Sequence, residues 1–138
     1  MALNARYLAD KSALARFPHP VVEARLRPLL EDGLIATCAI VDLEVLFSSR
    51  RLVDYEAVLV ERRSLDCAPI TPEVLDLAAD LQHELARRGQ HRLAIPDLII
   101  SAAARSAGLV VLHYDGDFER VGAVGGAEHE WVAPRGSL

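Results

Sequence analysis

Short apolar runs that are typical of buried strands alternate with longer stretches of helical periodicity along this chain of 138 residues. The clearest strand pattern is 109–113, which leads into a turn with the sequence Tyr-Asp-Gly-Asp. Further strands are predicted at 7–9, 34–38, 65–70 and 129–132. Strands that alternate with helices form a parallel sheet covered on both faces. We therefore predict an α/β fold with a central parallel sheet of four to five strands flanked by helices.

Helical patterns occupy the segments between these strands. The segment 21–32 has helical spacing of its apolar residues, and we expect Pro28 to kink this helix or divide it in two. The segment 39–49 is apolar on nearly every face, which predicts a largely buried helix. Pro96 opens a later helix that Gly108 closes, because proline favours the first helical turn and glycine the position after the last.

The size of the chain predicts one compact domain. A mass of 15.1 kDa and 51% hydrophobic residues allow a substantial core, and we expect the domain to cover 1–133, with 134–138 as a loose C-terminal tail. No apolar run approaches the ~20 residues of a membrane span, and 1–10 lack the apolar core of a signal peptide. We therefore expect a cytoplasmic protein without membrane contact. Cys38 and Cys67 lie in apolar segments and are predicted to be buried, reduced thiols.

Acidic residues stand at the edges of otherwise apolar stretches, where acids are least expected. Five residues share this placement: Asp10, Glu44, Asp97, Asp115 and Asp117. Asp97 is the clearest case, because it is the only charged residue between Leu93 and Ala104. A carboxylate buried there needs a proton, a cationic side chain or a metal ion, since burying an unpaired charge is very unfavourable.

The predicted fold brings these acids to one rim. Asp10 directly follows the first strand and Asp115 follows the strand at 109–113, so both lie where ligands bind if the strand order reverses between them. Asp97 begins a helix whose N-terminus points to this rim, and Glu44 lies on the second turn of the helix after the second strand. Like charges this close need a cation, and all-oxygen ligand sets favour Mg²⁺ or Mn²⁺. Such ions commonly act in phosphodiester hydrolysis.

The formal net charge of −5 argues against a protein that holds nucleic acid through bulk electrostatics, because phosphate binding depends on clustered lysine and arginine. Any contact with nucleic acid must therefore be local. Arg16 and Arg92 are candidates for such contacts because each lies close in sequence to an acid-bearing segment, and arginine suits bidentate phosphate contact. His91 is a further candidate in the loop beside Arg92.

Each acid also has a purely structural interpretation. Asp97 would favour the first turn of its helix even without a metal, and Glu44 could pair with an arginine. Asp115 and Asp117 flank a glycine as in an ordinary turn. Asp42 points to a different side of its helix from Glu44 and is predicted to be structural.

Two other classes of Mg²⁺-binding protein fit the sequence less well. A receiver domain of a signalling system needs a lysine near the end of its last strand, whereas the only lysine here is Lys11. A phosphatase with an aspartyl nucleophile needs a second aspartate two residues after the first, and Ser12 occupies that position.

Four motifs in this order resemble the PIN-domain ribonucleases of the VapC toxin type. The motifs are 7–14 (YLADKSAL), 41–46 (VDLEVL), 95–103 (IPDLIISAA) and 111–118 (VLHYDGDF), and together they span essentially the whole chain. Each motif alone has low specificity, whereas the four at these separations are fairly specific. Lys11 departs from the family pattern, in which threonine is frequent at that position.

The resemblance implies a role for each acid. It makes Asp10 and Asp97 the principal metal ligands, with Glu44 and Asp115 completing a catalytic quartet. Asp117 would be an outer acid of the metal site. Ser12 matches the small hydroxyl residue that orients the first acid of the family.

The resemblance also implies a function. It indicates a Mg²⁺-dependent endoribonuclease, with Mn²⁺ as a substitute, that cuts structured RNA, works as a homodimer and is neutralised by a VapB-type antitoxin, in a higher assembly with it. An arginine of such an inhibitor could pair with two carboxylates of the acidic pocket. The alternative is a catalytically silent PIN-like module that binds RNA or protein.

Overall fold

The computed structural model describes residues 3–138 and consists of strands and helices in alternation. The strands are β1 (Tyr7–Ala9), β2 (Ile35–Thr37), β3 (Asp66–Cys67), β4 (Val110–His113) and β5 (His129–Trp131). The helices are α1 (Lys11–Leu14), α2 (Pro20–Glu31), α3 (Ala39–Phe47), α4 (Leu52–Arg63), α5 (Pro72–Arg87), α6 (Ile95–Ala107) and α7 (Asp117–Ala123). The predicted α/β class is confirmed.

All strand pairs of the sheet are parallel, and the strand order is β3-β2-β1-β4-β5. The order reverses at β1, which pairs with β2 on one side and with β4 on the other. The predicted neighbours across the reversal are therefore correct. A receiver domain has the strand order 2-1-3-4-5, so the topology excludes that alternative.

Hydrophobic clusters cover both faces of the sheet. Leu8 and Val111 point into the larger cluster, which also takes side chains from α3, α5 and α6. Ala9 and Leu112 point to the opposite face, where α1 and α2 cover them. This alternation follows from the two-residue period of a strand, and it makes both central strands apolar on both faces.

Helix α2 is not divided at Pro28, which was one of the two outcomes predicted for this residue. It continues through this residue to Glu31 as one element. Pro28 lies in the last turn and faces solvent, so water can hydrate the one backbone carbonyl that loses its partner there.

The prediction that the helix at 39–49 is largely buried was wrong. In α3 only Val41 and Leu46 are buried, whereas Leu43 is 61% and Phe47 87% exposed. Within residues 3–138 nothing covers this side of α3, and the following helix, α4, likewise leaves large apolar side chains such as Leu52 in solvent. Contiguous apolar exposure of this kind is typical of an interaction surface.

The ends of the sheet also differ from the predictions. The strand predicted at 65–70 is limited to Asp66–Cys67 at the sheet edge. Cys67 is therefore exposed, while Cys38 is buried as expected, and both thiols are free. The predicted tail, 134–138, is exposed, and the backbone N–H of Leu138 donates to the Tyr114 hydroxyl at 2.9 Å. None of the helices in residues 3–138 has the length and hydropathy that a membrane-spanning segment requires.

Candidate metal centre

Asp10 lies where β1 ends and α1 begins, and it is buried. Its backbone N–H donates to the carbonyl of Leu112 at 2.9 Å, which ties this position to the neighbouring strand β4. Its carboxylate accepts the backbone N–H of Ser12 at 3.0 Å. Asp10 is thus the N-cap of α1. The pKa of Asp10 is raised mainly by burial, which the hydrogen bonds from Ser12 partly offset.

Asp97 lies in the first turn of α6 with only 7% of its surface exposed. Its pKa is raised to about 8, chiefly by burial and then by electrostatic repulsion from Asp10, Asp115, Asp117 and Glu44. Asp97 is not the N-cap of α6, since that position is Ala94, which has no side-chain cap bond. An N-cap bond therefore does not account for this carboxylate, although its position in the first turn suits the positive end of the helix dipole.

Asp115 and Asp117 lie in the loop after β4 and at the start of α7, respectively. The backbone N–H of Asp117 donates to the Asp115 carboxylate at 2.9 Å, as in an Asx turn. Carboxylate oxygens of Asp97, Asp115 and Asp117 lie within 4.8 Å of one another, a separation suited to a shared cation. Turn chemistry explains the Asp115 to Asp117 contact but not the approach of Asp97.

Glu44 approaches the same cluster from α3. Its pKa is raised by burial and then by Asp10, while Lys11 lowers it. The Oε1 atom of Glu44 is buried and has no hydrogen-bond partner within residues 3–138. The structural alternative, an arginine partner for Glu44, is thus not observed in this part of the chain.

The donor set fits a hard divalent cation. Four of the five acids, namely Asp10, Glu44, Asp97 and Asp115, form no salt bridge within residues 3–138. The fifth, Asp117, pairs with Arg120 at 2.7 Å. The orphaned oxygen of Glu44 and the raised pKa of Asp97 both follow from negative charge that no side chain within residues 3–138 neutralises. Carboxylate oxygens are the ligands that Mg²⁺ and Mn²⁺ prefer.

Ser12 holds two parts of this centre together. Its hydroxyl accepts the backbone N–H of Tyr114 at 2.9 Å, and its own backbone N–H donates to Asp10. Ser12 therefore links the turn after β1 to the turn after β4, which carry Asp10 and Asp115.

The three residues predicted to contact nucleic acid have different surroundings. Arg92 lines a groove of about 220 Å³ together with Asp117 and Arg120. The guanidinium of Arg16 stacks over the ring of Tyr114, 4.4 Å from its centroid, next to Asp115. His91 is exposed in the loop before α6.

The sequence analysis did not single out two residues that contact the centre. Arg120 pairs with Asp117, and the signal for it is the spacing of three residues on one helix. His113 lies buried at the end of β4, and its Nδ1 accepts the backbone N–H of Asp115 at 3.1 Å. The pKa of His113 is lowered to about 4, chiefly by burial and then by His129. Only the proximity of His113 in sequence to Asp115 could have indicated this contact.

Asp42 has the structural role that its position predicts. Its Oδ1 accepts hydrogen bonds from Nε of Arg62 and from the hydroxyl of Thr37, each at 2.8 Å. Arg62 also donates to Thr37 at 2.6 Å. This cluster of three side chains joins α4 to the end of β2 and is internally satisfied.

Comparison with known families places residues 7–124 in the PIN domain family. Ribonuclease VapC21 of Mycobacterium tuberculosis is 42% identical over 137 residues, which cover 98% of this chain and 99% of the relative. Ribonuclease VapC51 of the same species is 38% identical over 96% of this chain and 97% of the relative.

Solved structures share the fold at lower identity. The VapBC2 structure from Rickettsia felis, bound to a DNA fragment from its promoter, has a chain that matches with a TM-score of 0.72 and 16% identity, over 91% of this chain and 97% of the other. A chain of VapBC-5 from Mycobacterium tuberculosis matches with a TM-score of 0.63 and 24% identity, over 92% and 97% of the two chains.

Proposed function

Because the chain belongs to the VapC ribonucleases of the PIN domain family, we propose that it is a Mg²⁺-dependent endoribonuclease that hydrolyses phosphodiester bonds in structured RNA. The observation that carries the proposal is the position of Asp97. Its carboxylate is buried among four other acids, and within residues 3–138 no cationic side chain pairs with it. A bound cation would offset the unfavourable free energy of burying these acids close together.

The acids have distinct positions in the proposed centre. Asp97, Asp115 and Asp117 present oxygens close enough to share one cation, and Asp10 and Glu44 extend the negative charge across the rim. When bound, Mg²⁺, or Mn²⁺ in its place, neutralises phosphate charge and lowers the pKa of a water for attack on phosphorus. The chain positions these groups before RNA arrives. The carboxylates of Asp10 and Asp115 accept the backbone N–H groups of Ser12 and Asp117, and the backbone N–H of Asp115 donates to His113.

Local basic residues provide the RNA contacts in this proposal. Arg92 and Arg120 line the groove beside Asp117, and Arg16 lies over Tyr114 next to Asp115. These arginines can hold phosphates on either side of the acids through bidentate hydrogen bonds. His91 joins them in the adjacent loop. A few contacts of this kind suit a protein with a net charge of −5.

The proposal includes neutralisation by a VapB-type antitoxin in the cytoplasm. Structurally similar chains come from VapBC complexes. In this chain the exposed side chains of Leu43 and Phe47 line a groove of about 480 Å³ that also contains Glu44 and Lys11. An apolar segment of the antitoxin would cover this groove, and an adjacent arginine would reach Glu44 and the other acids. The active form in this proposal is a homodimer, and binding of the antitoxin produces a larger complex of the two proteins.

The test of the enzymatic proposal uses the purified chain and labelled, folded RNA. We expect cleavage with Mg²⁺ or Mn²⁺ and none with EDTA, and we expect Asp97→Asn to remove it. Asp80→Asn is the matched control, because it makes the same chemical change at an exposed site on α5. Cleavage that persists in EDTA contradicts the metal role, and RNA binding without cleavage favours the silent module.

The test of the antitoxin surface uses Phe47→Ser in the chain. We expect this variant to cleave RNA normally and to resist inhibition by the cognate antitoxin. Leu75→Ser, on the exposed side of α5, is the control and should remain inhibitable. Replacing the C-terminal arginines of the antitoxin with alanine should also weaken inhibition, and unchanged inhibition contradicts the arginine contact.

A further inference from the structure

The side chain of His113 connects the acidic rim to the edge strand β5. It is fully buried at the end of β4 and packs against the rings of Phe118 and Trp131. Both of its ring nitrogens have partners. Nδ1 accepts the backbone N–H of Asp115 at 3.1 Å, and Nε2 lies 2.9 Å from Nδ1 of His129.

These contacts determine the tautomers of both rings. A ring nitrogen that accepts an N–H carries no proton, so the proton of His113 is on Nε2. Nε2 then donates to His129, whose Nδ1 must be unprotonated as well. Two neutral rings of defined tautomer thus form a directed series of hydrogen bonds from His113 to His129.

We infer that His113 is a positioning residue, which holds the backbone N–H of Asp115 so that the Asp115 carboxylate faces Asp97 and Asp117. His113 binds the backbone of Asp115 and not its carboxylate. The Asp115 carboxylate in turn accepts the backbone N–H of Asp117 at 2.9 Å. His113 therefore sets the first of two successive turns that carry both acids. His129 acts on the same loop by keeping the His113 proton on Nε2. This inference rests on the proposed metal-dependent function of the rim.

The spacing between His113 and Asp115 offers a sharp test. A side-chain acceptor that binds the N–H two residues later is the geometry of an Asx turn, which asparagine forms readily. His113→Asn therefore keeps an acceptor at the position of Nδ1 and loses the bond to His129. His113→Gln reaches toward His129 and lacks the acceptor near Asp115. Both variants bury an amide at the same site, so a loss of packing affects both.

The experiment compares the full-length wild-type chain with these two variants. Amide hydrogen exchange of Asp115, followed by NMR without metal, should be about ten-fold faster in His113→Gln than in His113→Asn, because a lost hydrogen bond of about 1.4 kcal/mol opens the turn. The dissociation constant for Mn²⁺ alone, followed by EPR, should rise about ten-fold or more in His113→Gln and change little in His113→Asn. Cleavage of labelled RNA should follow the same order.

The outcomes separate this inference from the proposed function. A wild-type chain that neither binds Mn²⁺ nor cleaves RNA overturns the proposed function and, with it, this role of His113. A wild-type chain that binds Mn²⁺, with glutamine and asparagine variants that match in Asp115 exchange and in Mn²⁺ affinity, overturns this inference alone. Thermal unfolding of both variants shows that the comparison is made between folded chains.

Discussion

Two carboxylates near the carboxyl edge of the same sheet, those of Asp42 and Asp97, differ in whether the chain provides them with partners. Asp42, in the first turn of α3, receives hydrogen bonds from Arg62 and Thr37. Asp97, in α6, forms no salt bridge within residues 3–138, and the nearby acids raise its pKa in addition to the effect of burial. A carboxylate that the chain itself satisfies serves the fold, and one that the chain leaves unsatisfied indicates a ligand.

The largest expected effect is that of Asp97→Asn on cleavage. We expect RNA cleavage to fall by at least about 100-fold, since a lost ligand should cost no less than a lost outer partner of a metal site. The free energy of unfolding should stay the same or rise, because repulsion among the acids is relieved. Cleavage assays and urea unfolding measure the two effects.

The matched change at the other carboxylate is Asp42→Asn. This variant should keep its cleavage rate per folded molecule, because Asp42 binds only structural partners. Equal loss of cleavage in the two variants would break the contrast between the regions.

A large loss of stability is expected from Arg62→Met. Removing the guanidinium leaves the mostly buried Asp42 carboxylate without its charged partner. Breaking such an ion pair lowers the free energy of unfolding by about 3 kcal/mol. Urea unfolding should show the loss, while cleavage by the folded fraction is retained. The double variant Arg62→Met, Asp42→Leu should recover part of the stability. A double variant less stable than Arg62→Met indicates that packing, not charge, dominates at this site.

A more gradual effect is expected from pH in the metal-free chain. The pKa of Asp97 is about 8 in the folded chain, above its ordinary value of 3.8. The folded state therefore binds more protons than the unfolded state between these values, and the free energy of unfolding falls as pH rises from about 4 to 8. Thermal unfolding in EDTA should show this slope. Asp97→Asn should flatten it, and an unchanged slope in that variant assigns the titration to another group.

The smallest expected effect is that of Ser12→Ala, which removes the acceptor for the backbone N–H of Tyr114. One such hydrogen bond contributes about 1 kcal/mol to stability. We also expect cleavage to fall about ten-fold, because Ser12 joins the turns that carry Asp10 and Asp115. Ser12→Thr, which keeps the hydroxyl, is the control. A stability loss without any loss of cleavage would assign Ser12 to the fold alone.

The sheet and the convergence of the acids could be predicted because both depend on local patterns. The apolar runs at 7–9 and 109–113 identified the two central strands, and Asp10 and Asp115 follow them directly. Parallel pairing of β1 with β4 then brings these acids to one rim whatever the details of the loops. The isolation of Asp97 in an apolar stretch similarly predicted its burial.

Features that depend on which elements pack together could not be predicted. The apolar composition of α3 is compatible with a core helix, and only the absence of a covering element explains why Phe47 is exposed. The exposure of Cys67 depends on β3 being a short edge strand. The bond from His113 to His129 joins two strands and has no local pattern in the sequence.

The pairing of β1 with β4 has a consequence for synthesis of the protein. Asp10 is among the first residues translated, whereas Asp97, Asp115 and Asp117 come from the last third of the chain. The acids cannot gather until β4 has emerged and paired with β1, about a hundred residues later. A nascent chain in which β4 has not yet formed therefore lacks the assembled cluster of acids.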